Sequence, residues 1–325
     1  MNRREIIAGL GSAAAWPVVA RAQQPSMPVV GFLNPQSADG FKSLTVPFFE
    51  RLKAAGYIEG QNLVVEYRYA EGRFDRLPAL ALDLVGRGVA VIVTIGEAAT
   101  LAAKAATTTI PIVFQTGSDP VKLGLVAALN RPGANATGIT LLSTELAAKR
   151  LQVLRELIPN RARFGVLADP LVPDSEALIQ DLLRAALTLN VELVVIRATT
   201  DNELEEAFAS FLQRAVGATL VVNSTFYNRR VDQLVALAAR HSLPTIFPYR
   251  EFVLAGGLLS YGSGFQYLYR QAGIYTARIL KGEDPADLPV DQATRIELIL
   301  NLKTAKALGI EFPTGLLVRA DEVIE

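Results

Sequence analysis

Short apolar runs alternate with helix-periodic stretches along most of the chain. Residues 29–33 are apolar and end in Asn34-Pro35, which predicts a strand and a turn. Phe48, Phe49 and Leu52 recur at helical spacing within 46–55, and Gly56 follows as a cap. The same criteria give strand 63–69, helix 77–86, strand 89–93, helix 98–106, strand 110–114, a helix opened by Asp119-Pro120, and strand 137–141. The 89–93 run, VAVIV, is wholly apolar, as expected of a strand covered on both faces. Alternation resumes with helix 146–157, strand 164–168, helix 175–189, strand 191–196, helix 204–216 and strand 220–223. Helix 230–241, strands 245–247 and 258–261, helix 266–280, strand 296–301 and helix 302–308 complete the series. Apolar strands each followed by a helix predict an α/β protein with two doubly wound parallel-sheet lobes joined by a hinge.

Ahead of residue 29 the pattern differs. Arg3 and Arg4 precede a mostly apolar run over 6–19, and Ala20-Arg21-Ala22 puts small residues where a signal peptidase reads. A signal peptide over 1–22, cleaved near Ala22, is expected. The paired arginines fit the twin-arginine pattern, with the general secretory route as the alternative. The apolar run is too short for a bilayer span. The mature chain is therefore expected in the periplasm without a stable membrane anchor.

Composition then narrows the chemistry. Among 325 residues, 32 Lys and Arg balance 32 Asp and Glu, so no basic excess points to nucleic acid. Absence of Cys removes disulfides, thiolate metal sites and Cys nucleophiles. His241, the one histidine, excludes a His-rich metal site and leaves a Ser-His-Asp triad a single possible base. GLLSYG at 257–262 lacks G-x-S-x-G spacing, and GANATG at 133–138 and YGSGFQY at 261–267 miss G-x-G-x-x-G. No P-loop occurs, so ATP hydrolysis would belong to a partner. No catalytic residue, metal or cofactor is expected.

Two similar α/β lobes in an exported chain suggest a hinged binding protein. Long segments sharpen that expectation: RREIIAGLGSAAAWPVVARAQQP, LKAAGYIEGQNLVVEYRYAEG, TTTIPIVFQTGSDPVKLGLVAALNRPGANATGIT, AAKRLQVLRELIPN, RRVDQLVALAARHSLPTIFPYREFVLAGGLLSYG, GIYTARILKGEDPADLPVDQ and ELILNLKTAKALGI. Over essentially its whole length the chain resembles the bacterial family of ABC-transporter substrate-binding proteins that includes the tryptophan-binding proteins. That resemblance implies a periplasmic-binding-protein fold of the first type, with three crossings between lobes. It also implies delivery of a small solute to a permease with a separate ATPase subunit. With the crossings so placed, lobe I is 29–141 plus 264–288, and lobe II is 142–263 plus 289–325. A sensor reporting to a membrane signalling protein would use the same fold, and an exported hydrolase using carboxylates is a third reading.

In open parallel sheets ligands sit at the carboxyl ends of strands. Candidate ligand-binding residues are therefore Asn34, Gln36 and Ser37, then Gly96, Glu97 and Ala98, then Thr116, Gly117 and Asp119. The second lobe adds Asp169, then Asn223, Ser224 and Thr225, then Tyr249 and Tyr261. Asp119 also reads as a helix cap, Asp169 as a turn residue before Pro170, and Glu97 as a favourable charge at a helix start. Free N–H groups at 96–98 suit one carboxylate. None of these candidates is Arg or Lys, although Arg250 is close enough in sequence to reach in. A small zwitterion or neutral polar solute with an apolar face is expected, such as an amino acid or a related metabolite.

Overall fold

The structure, a computed structural model, describes residues 27–38, 41–141, 143–293 and 296–325; the expected leader over 1–22 lies outside them. The chain begins with β1 (Val29–Asn34), α1 (Phe41–Ala54), β2 (Val64–Tyr69), α2 (Leu77–Gly86), β3 (Val91–Ile95), α3 (Glu97–Ala106), β4 (Ile112–Thr116) and β5 (Ala136–Thr140). Next come α4 (Ser143–Leu157), β6 (Arg163–Ala168), α5 (Ser175–Leu189), β7 (Glu192–Arg197), α6 (Asp201–Gln213), β8 (Ala218–Val221), α7 (Thr225–Asn228), α8 (Val231–Arg240), β9 (Thr245–Phe247), α9 (Arg250–Leu254) and β10 (Leu259–Gly262). The chain continues through α10 (Phe265–Leu280), β11 (Asp291–Gln292), β12 (Glu297–Asn301), α11 (Leu302–Ala307), α12 (Thr314–Arg319) and β13 (Glu322–Ile324).

Among the described residues these strands form two sheets, ordered β11-β5-β4-β3-β1-β2 and β13-β12-β10-β9-β8-β6-β7. Pairing is parallel throughout except between β10 and β12. The expected α/β class with two parallel sheets is what forms. Strand order reverses between β1 and β3 in the first sheet and between β6 and β8 in the second. Loops leaving those strands splay apart, which opens a crevice at each switch point.

Helix α10 directly follows β10 of the second sheet in sequence yet packs on α1 and on β3, β4 and β5 of the first. Gly273 permits this: a Cβ there would lie 2.5 Å from the Phe48 carbonyl oxygen. The two helix backbones therefore touch, over a core in which Phe32 and Phe48 meet edge to face at 4.9 Å. A second core on the other face of the first sheet joins Leu33, Ile92 and Phe114 to Leu84, Ala99 and Ala103 of α2 and α3.

Four features depart from the expected pattern. Asp119-Pro120 opens a turn, not a helix: Asp119 Oδ1 accepts from the Val121 and Lys122 N–H groups, but Gly124 at φ 67° ends the coil after one turn. Helix α1 begins at Phe41, ahead of the expected 46, which carries Leu44 toward the first crevice. Asp291 and Gln292 pair with Ile139 and Thr140, so the first sheet reaches past the expected boundary at 288. Tyr275 donates to the Pro289 carbonyl at 2.6 Å and Tyr267 to Asp291 at 2.8 Å, holding that return strand. Short helices α7, α9 and α12 fill segments where no helix was expected. The chain passes between sheets three times, at 140–143, 262–265 and 292–297.

Candidate functional site

The two switch points face each other across a cleft enclosing about 810 Å³ of empty space, its mouth included. From the first sheet the wall takes Asn34 and Gln36 after β1, Gly96, Glu97 and Ala98 after β3, and Thr116 and Gly117 at the end of β4. From the second it takes Asn223, Ser224 and Thr225 after β8, and Tyr249 after β9. All were expected from strand ends.

Gly96 sets the geometry at α3. Its φ of 78° makes the sharp turn from β3 into the helix, so α3 starts at the cleft wall, where its first N–H groups have no intrahelical partners. Glu97, only 7% exposed, folds back over the end of β4. Its Oε1 accepts from the Thr116 hydroxyl at 2.9 Å, the Gly117 N–H at 2.7 Å and the Ser118 hydroxyl at 3.0 Å. Three donors on one oxygen fix the carboxylate of a residue that lines the cleft, with Oε2 outside those three contacts. A positive donor arriving there would meet an oriented, largely desolvated anion.

The second-sheet wall is a polar network. Tyr249 Oη donates to Asn223 Oδ1 at 2.9 Å, and Asn228 Nδ2 donates to the same oxygen at 3.0 Å. Asn228 lines the cleft, and its buried Oδ1 has no hydrogen-bond partner among the described residues. Contacts also cross the cleft. Arg229 Nη1 donates to Ser37 Oγ at 2.7 Å, and Gln36 Nε2 to Thr225 Oγ1 at 3.4 Å.

Four expected residues lie off the wall. Ser37 sits behind it and receives Arg229. Asp119 caps the one-turn coil described above, so its carboxylate is occupied by local N–H groups. Asp169 stands behind Ser224, accepting from its hydroxyl and from the Leu171 N–H. Burial pushes the Asp169 carboxyl above its ordinary pKa, and those two hydrogen bonds offset the rise only in part. Tyr261 lies within β10, where its carbonyl accepts from the buried Arg150 Nε at 2.7 Å. Arg250 does not reach the cleft; it pairs with Glu297 at 3.2 Å and Glu322 at 2.6 Å. The cation on the wall is Arg229.

Residues not expected from strand ends supply most of the apolar lining: Leu44, Phe74, Ile95, Leu141, Leu268 and Tyr269 on the first-sheet side, and Leu171, Val172 and Pro173 on the second. Gln115 is also there. One polar residue inside the apolar strand IVFQT was a readable signal for it. Tyr269 had none, because α10 returns to the first sheet only in three dimensions. Among the described residues no group of three or more His, Cys, Asp or Glu could hold a metal ion. No helix of those residues is long and apolar enough to cross a membrane.

A family model described as ABC transporter substrate binding protein matches residues 29–324. A tyrosine-binding protein of Clostridioides difficile is 26% identical over 265 residues, covering 81% of this chain and 76% of that protein. A conserved domain protein from Vibrio cholerae superposes with a TM-score of 0.82 at 27% identity, covering 91% of this chain and 99% of that one. An ABC domain from Streptococcus pneumonia in complex with L-Trp superposes at 0.79 with 23% identity, covering 92% and 100%.

Proposed function

The chain belongs to the family of ABC transporter substrate-binding proteins, and from that premise we propose that it captures one α-amino acid with a largely apolar side chain and delivers it to a membrane permease. The family binds solutes and is not enzymatic. The observation that carries the proposal is the Glu97 carboxylate, held by three donors at the start of α3. A zwitterion needs an anion and a donor cluster within a few ångströms of each other. Glu97 Oε2 suits the ammonium, with Asn228 Oδ1 opposite as a second acceptor. The opening N–H groups of α3 suit the carboxylate, in the field of the helix dipole. The apolar lining suits the side chain.

The expected lobes belong to the same proposal, with the first extended to Gln292. Each sheet and its helices move as a unit about the three crossings, and a solute touching both walls favours the closed form that a permease recognises. Export belongs here too: the leader over 1–22 directs the chain to the periplasm, where cleavage near Ala22 frees it. N-terminal sequencing of periplasmic material should find Gln23 first, and an intact Met1 would refute cleavage. Isothermal titration calorimetry across amino acids, sugars, nucleosides and dicarboxylates tests the solute class. Saturable heat with aromatic or aliphatic amino acids is expected. Tight binding of a sugar or dicarboxylate with no response to any amino acid would overturn the proposal.

A further inference from the structure

Gln115 is 5% exposed and lines the cleft, yet its Nε2 has no hydrogen-bond partner among the described residues. A buried amide N–H left unmade costs free energy comparable to a lost hydrogen bond. Its direction follows from the strand. Side chains alternate along β4, so Gln115 shares a face with Val113 while Phe114 points to the other. Val113 belongs to the core under α1 and α10, and Phe114 to the core under α2 and α3. In register, Gln115 stands beside Ile95 and Ile139. Leu44, Leu141, Leu268 and Tyr269 complete the lining on that side. This pocket lies on the α1 and α10 face of the sheet, whereas Glu97 turns from α3 toward Thr116. The two ends of the site are thereby separated: charge recognition at α3, and an apolar pocket with one polar donor at Gln115.

We propose that Gln115 is the specificity-determining residue of the side-chain pocket, and that it selects an amino acid whose otherwise apolar side chain carries a hydrogen-bond acceptor, such as a phenolic hydroxyl. This rests on the amino-acid reading above and adds to it the chemistry of the side chain. Nε2 donates to that acceptor, which satisfies the orphaned group. An all-carbon side chain of the same shape leaves it unmet.

The test compares L-tyrosine with L-phenylalanine, which differ by the hydroxyl alone, in titrations of the wild type, Gln115→Leu and Gln115→Met. The wild type should bind tyrosine about five- to twentyfold more tightly, the worth of one neutral hydrogen bond plus the orphaned donor. Both variants should bring that ratio close to one by weakening tyrosine while leaving phenylalanine equal or tighter. Thermal melts of each variant confirm the fold, and Gln115→Met keeps an unbranched side chain of similar length should Gln115→Leu fail to fold. An unchanged ratio in a folded variant overturns the role of Gln115 alone, leaving the amino-acid reading intact. Binding of neither amino acid by the wild type overturns this proposal, while the amino-acid reading stands or falls with the calorimetric screen above.

Discussion

Substituting Glu97 separates its two duties. In Glu97→Gln the amide oxygen can keep the Oε1 position, because the Thr116 hydroxyl, Gly117 N–H and Ser118 hydroxyl all converge there. Nε2 then occupies the Oε2 position. The local fold keeps its three acceptor contacts, so the melting temperature should move by only a few °C. The solute loses more. A hydrogen bond between charged groups contributes about 1.5–3 kcal/mol, and an amide N–H facing an ammonium replaces it with a donor-donor clash. Affinity for the cognate amino acid should fall about ten- to hundredfold. Glu97→Ala differs. It removes the acceptor from three donors in a site only 7% exposed, at a cost of about 2–4 kcal/mol. For a chain of this size that lowers the melting temperature by about 3–6 °C. Calorimetry with the amino acid and with its desamino analogue provides the assay. The analogue lacks the ammonium, so its affinity should be nearly the same in wild type and Glu97→Gln. Equal loss for both compounds, or no loss for either, would falsify the assignment of Glu97 to the ammonium.

Gly96→Ala imposes a Cβ at φ 78°, 3.0 Å from Thr225 Cγ2 across the cleft. It should cost about 1–2 kcal/mol of stability and weaken solute binding; adding Thr225→Ser should restore part of the binding but none of the melting temperature, and recovery of both would refute the backbone part. Asp169 titrates above its ordinary range because burial disfavours its charge. Its folded-state pKa is thus raised above the unfolded value of about 3.9, so its contribution to stability is fully present below that value and is lost as pH rises through the folded pKa. Asp169→Asn should therefore raise the melting temperature most at neutral pH, with the gain shrinking as pH falls toward about 4; a gain independent of pH, followed by calorimetry from pH 4 to 8, would show that charge is not the cause.

Strand ends were the legible part of the site. Apolar runs such as VVGFLN and VIVTI stop where polar residues start, and a parallel sheet puts those stops on one edge. Asn34, Gly96, Thr116 and Asn223 could be found that way. Helix starts were less legible, because Asp-Pro caps a single turn as readily as a helix and only Gly124 downstream decides. Which cation enters the cleft is hard to read from sequence for a related reason. Arg250 stands next to Tyr249 in sequence, but Glu297 and Glu322, distant in sequence, hold it elsewhere. Arg229 reaches the cleft because α7 ends at Asn228 and turns the next residue toward Ser37. The Leu268 and Tyr269 wall depends on α10 crossing back to the first sheet, which strand-end logic does not address.

On the proposed reading, closure depends on what a solute adds to the contacts between the two walls, among them Arg229 facing Tyr69 and Tyr269. Gln36 to Thr225 at 3.4 Å is a long contact. Arg229 to Ser37 is shorter, but it joins a charged group to a hydroxyl in a half-buried setting, a net gain of about 1–2 kcal/mol. A solute shifts the balance of open and closed arrangements only by the difference in its affinity for the two. One resting on Glu97 and α3 alone would bind each form equally and close nothing. One that also gives a donor to Asn228 Oδ1, in the network held by Tyr249 and Asn223, gains contacts only when the walls meet. Asn228 Oδ1 has no partner among the described residues, so a solute that supplies the missing donor makes the closed form the better satisfied one. Recognition and closure then depend on the same hydrogen bond.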